Sequence, residues 1–319
     1  MTDWRPSASL FYLQARARLY RQIREFFTAR AVMEIEAPVM GAAAVTDPYI
    51  ESVSAQCDGR TYYLQTSPEF AMKRLLAAGS GPIYALGKVF RNGGEYGRRH
   101  NPEFTLLEWY RPGWNDHQLM DEVEALLLHL RPGLEVARLS YREWFQSHLA
   151  VDPHTASAAE LAAIARGRIE IDVDGPEAED RDLWLDLLVT HELEATLGPG
   201  LTFVYDYPQS QAALARIEPD SRGQRVARRF EAFIGGMELA NGYWELTDAG
   251  EQRRRFAADR DRREALGLTP HAGDPKLLAA LEQGLPDSAG VALGVDRLLM
   301  CLHGARTISE VIPFDLDAL

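Results

Sequence analysis

Residues 10–29 place Leu13, Ala17, Tyr20, Ile23 and Phe27 three or four apart, the apolar stripe of an amphipathic helix. In VMEIEAPVM, Met33, Ile35, Ala37 and Val39 alternate and predict one strand, and Pro38, with no N–H, suits a sheet edge. Residues 50–56 and 61–65 read as a hairpin turned at Asp58-Gly59. In TSPEF, Ser67 as a cap and Pro68 at the first helical position open a helix that Gly79 ends. Strands at 83–90 and 104–110 flank a long polar loop. Helical patterns cover 115–130, 141–149, most of 156–166, and 180–197, the last ending at Gly198. A strand follows at 203–207, then a hairpin of 228–235 and 237–241 over Gly235-Gly236. Thr247 begins an Arg-rich helix, 275–283 makes a short one, and AGVALGVDRLLMCLHG gives a strand, a glycine and a final helix. Most strands are joined by hairpins or lie around one insertion. That order predicts an α+β fold, an antiparallel sheet flanked by helices. One catalytic domain is expected over 1–319, with a mainly helical insertion at about 115–200.

Composition narrows the class. The net charge of −13 argues against general nucleic-acid binding, which needs a basic footprint. Residues 252–263 hold six arginines among aspartates and read as a solvated helix face. The start MTDWRPSASL has no secretory apolar stretch, and no apolar run approaches the ~20 residues of a membrane span. Cys57 and Cys301 are far apart and lack metal-type spacing, so a reducing, cytoplasmic setting without disulfide or zinc is expected.

Three stretches carry candidate chemistry. In FRNGGEYGRRHNPEFTLLEWY, the loop gathers Arg91, Arg98, Arg99 and His100, and arginine forks match phosphate and carboxylate. Phe104, Leu106, Glu108 and Tyr110 share one strand face, which either lines a pocket or packs under a helix with Glu108 at a wet edge. In RFEAFIGGMELANGYWEL, Phe233 faces Glu238 across the turn and Glu231 lies diagonal to Glu238. The pair reads either as two solvated acids or as carboxylates sharing a magnesium ion, with Asn241 and Glu245 adding polar groups nearby. In GVDRLL, Arg297 stands in the first turn of a helix, against the dipole by ~0.3–1 kcal/mol. A bound anion would offset that cost, although a lone arginine there is more often structural. No P-loop, dinucleotide fingerprint or nucleophile elbow occurs.

In order and spacing these pieces resemble the three motifs of class II aminoacyl-tRNA synthetases, over about residues 12–312. EIEAPVM is similar to motif 1, FRN…RHNPEFTLLEWY to motif 2 and GVALGVDRLL to motif 3. RHNPEFT and ELANGYWELTDA are close to the lysyl branch. That branch carries an N-terminal anticodon-binding OB-fold, for which there is no room before residue 10. The chain therefore resembles the free-standing family that ligates lysine, preferably (R)-β-lysine, to a lysine of elongation factor P. The resemblance implies ATP as co-substrate, Mg²⁺, a homodimer formed through motif 1, and no tRNA partner.

Carried over by position, Arg91 and Arg297 are catalytic and, with Asn92, Gly93, His100, Asn101, Phe104, Glu238, Leu239 and Gly294, bind ATP. Phe104 and Arg297 would sandwich adenine, and His100 would approach the γ-phosphate. Glu231 and Glu238 would hold magnesium. Ser67, Pro68, Glu69, Glu108, Tyr110, Asn241, Glu245 and Ala292 would surround the amino acid. Ala292 stands where the tRNA enzymes usually have glycine. Gly93 stands where relatives place an adenine-reading acid, a role that either Glu95 through a shifted loop or the backbone would take over. Three other readings are a tRNA-charging enzyme without an anticodon domain, an inactive regulatory relative, and a metabolic ligase like asparagine synthetase.

Overall fold

The computed structural model describes residues 4–93, 96–171 and 173–319. Helix α1 (Leu10–Thr28) leads into β1 (Met33–Glu34), β2 (Met40–Gly41), β3 (Ser54–Cys57), β4 (Arg60–Leu64), α2 (Glu69–Ala77), β5 (Ile83–Phe90) and β6 (Glu103–Pro112). Next come α3 (Asp116–Leu130), β7 (Val136–Ser140), α4 (Tyr141–Leu149), α5 (Ala158–Arg166) and α6 (Arg181–Leu188). The rest is β8 (Leu201–Pro208), β9 (Ile217–Pro219), β10 (Arg225–Ile234), β11 (Met237–Trp244), α7 (Ala249–Ala265), α8 (Pro275–Gly284), β12 (Ser288–Gly294) and α9 (Val295–His303).

Among the described residues, the main sheet runs β1-β5-β6-β12-β11-β10-β8-β7, with β9 on β10. The α+β reading holds, with one amendment. The centre is antiparallel, but both ends are parallel pairs, β1 on β5 and β7 on β8. Helices α1, α3 and α9 cover one face through Leu19, Phe27, Val123, Leu126 and Leu298, packed on Leu107, Trp109, Phe230 and Leu293. The other face holds a cavity of about 1650 Å³. Among the described residues no helix is long and apolar enough to cross a membrane.

Several local expectations shift. The buried stripe of α1 is Ala15, Arg16, Leu19, Ile23, Phe26 and Phe27, whereas Ala17 is exposed. The stripe turns because Arg16 buries its stem to reach Asp296 and the Val311 carbonyl. The single strand expected at 33–39 is two short ones, β1 on the main sheet and β2 on the small sheet β2-β4-β3. Pro38 cannot donate to a ladder, and the chain changes sheets there. Asp58 and Gly59 both have positive φ (49° and 71°), the two-residue turn expected between β3 and β4. Helix α2 starts at Glu69, not Pro68, but the Ser67 hydroxyl still accepts the Glu69 N–H at 3.3 Å.

Inside the stretch read as a helical insertion, β7 is a sheet strand that apolar periodicity alone did not mark, because most of it is half-exposed. Helices α4–α6 build a second core on β8 and β10 from Trp144, Phe145, Trp184, Leu188, Val204 and Phe233. The helix expected over 180–197 stops at Leu188 and continues as a wider turn, Val189–Leu193, and a tight one, Glu194–Thr196. In α7 the solvated-face reading fails for one arginine. Arg263 is fully buried and donates to the Thr269, Asp47 and Ile50 carbonyls and to Glu51.

Candidate active site

Strand register assembles the site. Across β10, β11, β12 and β6, Glu231 pairs with Asn241, Asn241 with Ala292 and Ala292 with Glu108. Residues directly opposite point to one face, so these four form a transverse row. Two positions along each strand lies a second row, Arg229, Tyr243, Gly290 and Tyr110. The turn at Gly235-Gly236 sets Phe233 opposite Glu238 as expected, and a bulge beyond it skips Leu239, so that Ala232 meets Ala240 and Glu231 meets Asn241.

Arg91, His100, Asn101, Phe104, Glu238, Leu239, Gly294 and Arg297 all line the one cavity. Ser67, Pro68, Glu69, Glu108, Glu231, Asn241 and Ala292 line it too. Four predicted residues do not. Tyr110 and Glu245 are buried behind the wall. Asn92 donates its backbone N–H to the Glu51 carbonyl at 2.8 Å. Gly93 has φ +81°, a left-handed conformation that disfavours any side chain, which accounts for glycine where relatives place an acid. Gly94 and Glu95, the latter the expected substitute, lie outside the described residues.

One end of the cavity is cationic. The Arg91 guanidinium carbon lies 5.2 Å from the Phe104 ring centre, and its buried Nε has no hydrogen-bond partner. An orphaned buried donor is costly unless an anion satisfies it. Arg297 donates to the Glu238 carbonyl at 3.1 Å and to Glu238 Oε2 at 3.3 Å. Its Nη2 lies 2.6 Å from His100 Nε2, which must then accept and be unprotonated. Asn101 is largely committed, donating to the Glu103 carbonyl at 2.7 Å and accepting the Leu316 N–H at 3.2 Å. Behind Arg297, Asp296 joins Arg16 of α1 to the Thr105 backbone N–H of β6. That link fixes the start of α9 against the strand bearing Phe104.

The opposite end is acidic, and its Glu108 and Glu245 are buried. Burial, with Glu69 and Glu245 adding repulsion, raises the Glu108 carboxyl to about 8. Its Oε1 accepts from the Tyr110 hydroxyl at 2.8 Å, while Oε2 is buried with no hydrogen-bond partner. Burial raises Glu245 to about 8 as well, although Lys73 pulls it down. Glu231 is raised to about 7 by burial, opposed by Arg229 and reinforced by Glu238. The Arg229 guanidinium bonds Glu231 Oε1 at 2.5 Å and Asn241 Oδ1 at 3.1 Å, orienting both. Among the described residues no three metal-type ligands cluster. Glu231 and Glu238 offer two carboxylates, the number magnesium takes when phosphates complete its shell.

Sequence reasoning missed four residues here. Lys73 is buried between Glu69 and Glu245, and its only sequence signal is the Glu69–Lys73 spacing of four. Arg229 had no signal without register. Gly290 makes room for the Tyr110 ring and the Glu245 carboxylate. Asp186 lines the cavity from α6 and is raised to about 6 by burial.

The comparisons agree with this geometry. A family model described as tRNA synthetases class II (D, K and N) matches residues 1–317. A relative from Vibrio cholerae is 50% identical over 321 residues, 98% of this chain and 98% of its own length. One from Histophilus somni (strain 2336) is 48% identical over 322 residues, covering 99% and 98%. One from Klebsiella pneumoniae (strain 342) is 47% identical over 321 residues, covering 98% of each. All three are named elongation factor P–(R)-β-lysine ligase. With an antiparallel core carrying Arg91, Phe104 and Arg297 around one cavity, the chain belongs to the class II tRNA synthetase family of the D, K and N type.

Proposed function

We propose that the chain activates lysine or (R)-β-lysine with ATP and transfers the acyl group to a lysine ε-amine of elongation factor P. One observation carries the reading. A single cavity has an orphaned buried guanidinium donor, Arg91 Nε, at one end and an orphaned buried carboxylate oxygen, Glu108 Oε2, at the other. The first suits a phosphate, as the ATP of the class II family would bring, and the second an ammonium, as the (R)-β-lysine in the relatives' name carries.

The substrate carboxylate is already ionised and attacks the α-phosphorus, and the bond to pyrophosphate breaks. Little proton transfer is needed, so catalysis is alignment and charge neutralisation. Arg91 holds the α-phosphate and the attacking carboxylate. Arg297 and Phe104 sandwich adenine, and Arg297 leaves Glu238 and His100 to do so. His100 approaches the γ-phosphate. Leu239 and Gly294 supply backbone beside the nucleotide, Asn101 holds the loop, and Asn92 and Gly93 lie off the cavity wall behind it. Glu231 and Glu238 would hold Mg²⁺, which neutralises phosphate charge when bound. Ser67, Pro68, Glu69, Glu108, Asn241 and Ala292 surround the amino acid, with Tyr110 and Glu245 behind them. The acceptor amine then attacks the acyl carbonyl, AMP leaves, and the amine's proton goes to solvent.

The whole chain acts as one catalytic domain, with about 115–200 as the insertion. It acts as a homodimer through the α1 side, where Leu10, Phe11 and Met33 are exposed. The decisive experiment mixes the protein with ATP, labelled lysine or (R)-β-lysine, elongation factor P and tRNA. A mass shift on the factor with none on tRNA is expected. Charging of tRNA with an unmodified factor refutes the reading.

A further inference from the structure

Lys73 takes part in no step above, yet it is a buried cation paired with two acids of the amino-acid pocket. It stands one turn beyond Glu69 on α2 and is 1% exposed. Its Nζ lies 2.6 Å from Glu69 Oε1 and 2.6 Å from Glu245 Oε2. Burial pulls its pKa down, but Glu245 and Glu69 outweigh burial and the net shift is upward. Carboxylate oxygens 2.6 Å away on both Glu69 and Glu245 favour its ammonium form inside the protein. Glu108 acts on it from β6, with Tyr110 bonded to Glu108, and Glu245 from the end of β11; Tyr243 lies near Glu69 and Glu245, Arg216 acts on Glu245 from farther off, and Arg229 on Tyr243. The core that α2 shares with α7 and α8 is apolar at Phe256, Leu277 and Leu281.

The charge count follows. When ionised, Glu69, Glu108 and Glu245 against Lys73 leave two negative charges, and of these three acids Glu69 and Glu108 line the cavity. We propose that Lys73 is a built-in counter-ion that sets the amino-acid pocket at two negative charges and so selects a substrate with two ammonium groups. This rests on the function proposed above and sharpens it. A substrate with one ammonium would leave a buried carboxylate unpaired, which is strongly disfavoured. Without Lys73, three close acids would compete for protons, and the pocket would ionise fully only at higher pH.

The test is the pH profile of kcat/KM for lysine in ATP–pyrophosphate exchange, which reports groups of the free enzyme. Removing the ammonium raises the remaining acids, since Lys73 lowers both Glu108 and Glu245. Lys73→Met is expected to move the acid limb up by about one pH unit, roughly a tenfold loss at pH 7. The double variant Lys73→Met with Glu69→Gln restores the charge count and should return the limb toward wild type. Lys73→Arg should leave it in place. Loss of activity or stability with an unmoved limb, or no recovery in the double variant, overturns the proposal.

Should Lys73→Met fail to fold, the wild-type protein still decides. Lysine binding at pH 7, measured calorimetrically in buffers of different ionisation enthalpy, is expected to release protons as the pocket acids ionise against two ammonium groups. Binding without proton release overturns the charge count. Wild-type protein that activates no diamino acid refutes instead the reading of the function, and this inference with it.

Discussion

Gly290→Ala tests whether the second row of the pocket has any spare room. A Cβ at Gly290 would sit 2.2 Å from Tyr110 Cε1 and 2.5 Å from Glu245 Oε1. Tyr110 cannot retreat, because it is packed with Met72, Ile83 and Leu285. The ring or β12 must shift, and overpacking of that kind costs about 1–3 kcal/mol. Moving Tyr110 also disturbs its bond to Glu108 at 2.8 Å. A hydrogen bond to a charged group is worth about 1.5–3 kcal/mol. If it is lost, KM for lysine rises by about tenfold to a hundredfold. Gly242→Ala is the control. Its Cβ would strike the Phe230 ring at 2.4 Å, on the core side of the sheet. Thermal melts and lysine-dependent pyrophosphate exchange separate the two. Both variants should lower Tm, by about 2–4 °C per kcal/mol or somewhat less at this chain length. Only Gly290→Ala should raise KM for lysine with KM for ATP unchanged. A Gly290→Ala protein with wild-type KM for lysine refutes the claim that Tyr110 holds Glu108 in place.

Arg91→Ala should cut adenylate formation by about 10²–10³, the usual loss for one transition-state donor, and near-normal pyrophosphate exchange would contradict its assignment. Arg16→Met leaves Asp296 buried without its cation and should lower stability by about 3–5 kcal/mol in denaturant unfolding. Glu238→Gln should raise the Mg²⁺ concentration needed for half-maximal exchange, and an unchanged requirement removes Glu238 from the metal site. Stability without substrates should fall between about pH 6.5 and 8, as read from thermal melts. Glu108 and Glu245 (each raised to about 8) and Glu231 (raised to about 7) bind protons more tightly folded than unfolded, so stability is lost as pH rises through those values. His154, lowered to about 4 by burial, acts oppositely but only below its ordinary 6.5.

How much of the site was legible depends on which period each residue obeys. Alternation in FTLLEWY is enough to put Phe104, Leu106, Glu108 and Tyr110 on one face, because a strand offers only two. The turn at Gly235-Gly236 likewise sets Phe233 opposite Glu238. What alternation lacks is the neighbour across the sheet. Ala292 and Glu108 are 184 positions apart and meet only through the β12–β6 register. Gly290 looks like any strand glycine until Tyr110 and Tyr243 are found opposite it on either side. Then its missing side chain explains itself, since both neighbours are large and face the same way. The pocket's counter-charge was hidden for the same reason. The three acids Glu69, Glu108 and Glu245 can be picked out in the sequence, but that Lys73 on α2 meets two of them cannot. A helix residue four after an acid looks like a surface pair until tertiary packing buries it, and burial makes a weak local pairing part of the pocket's charge.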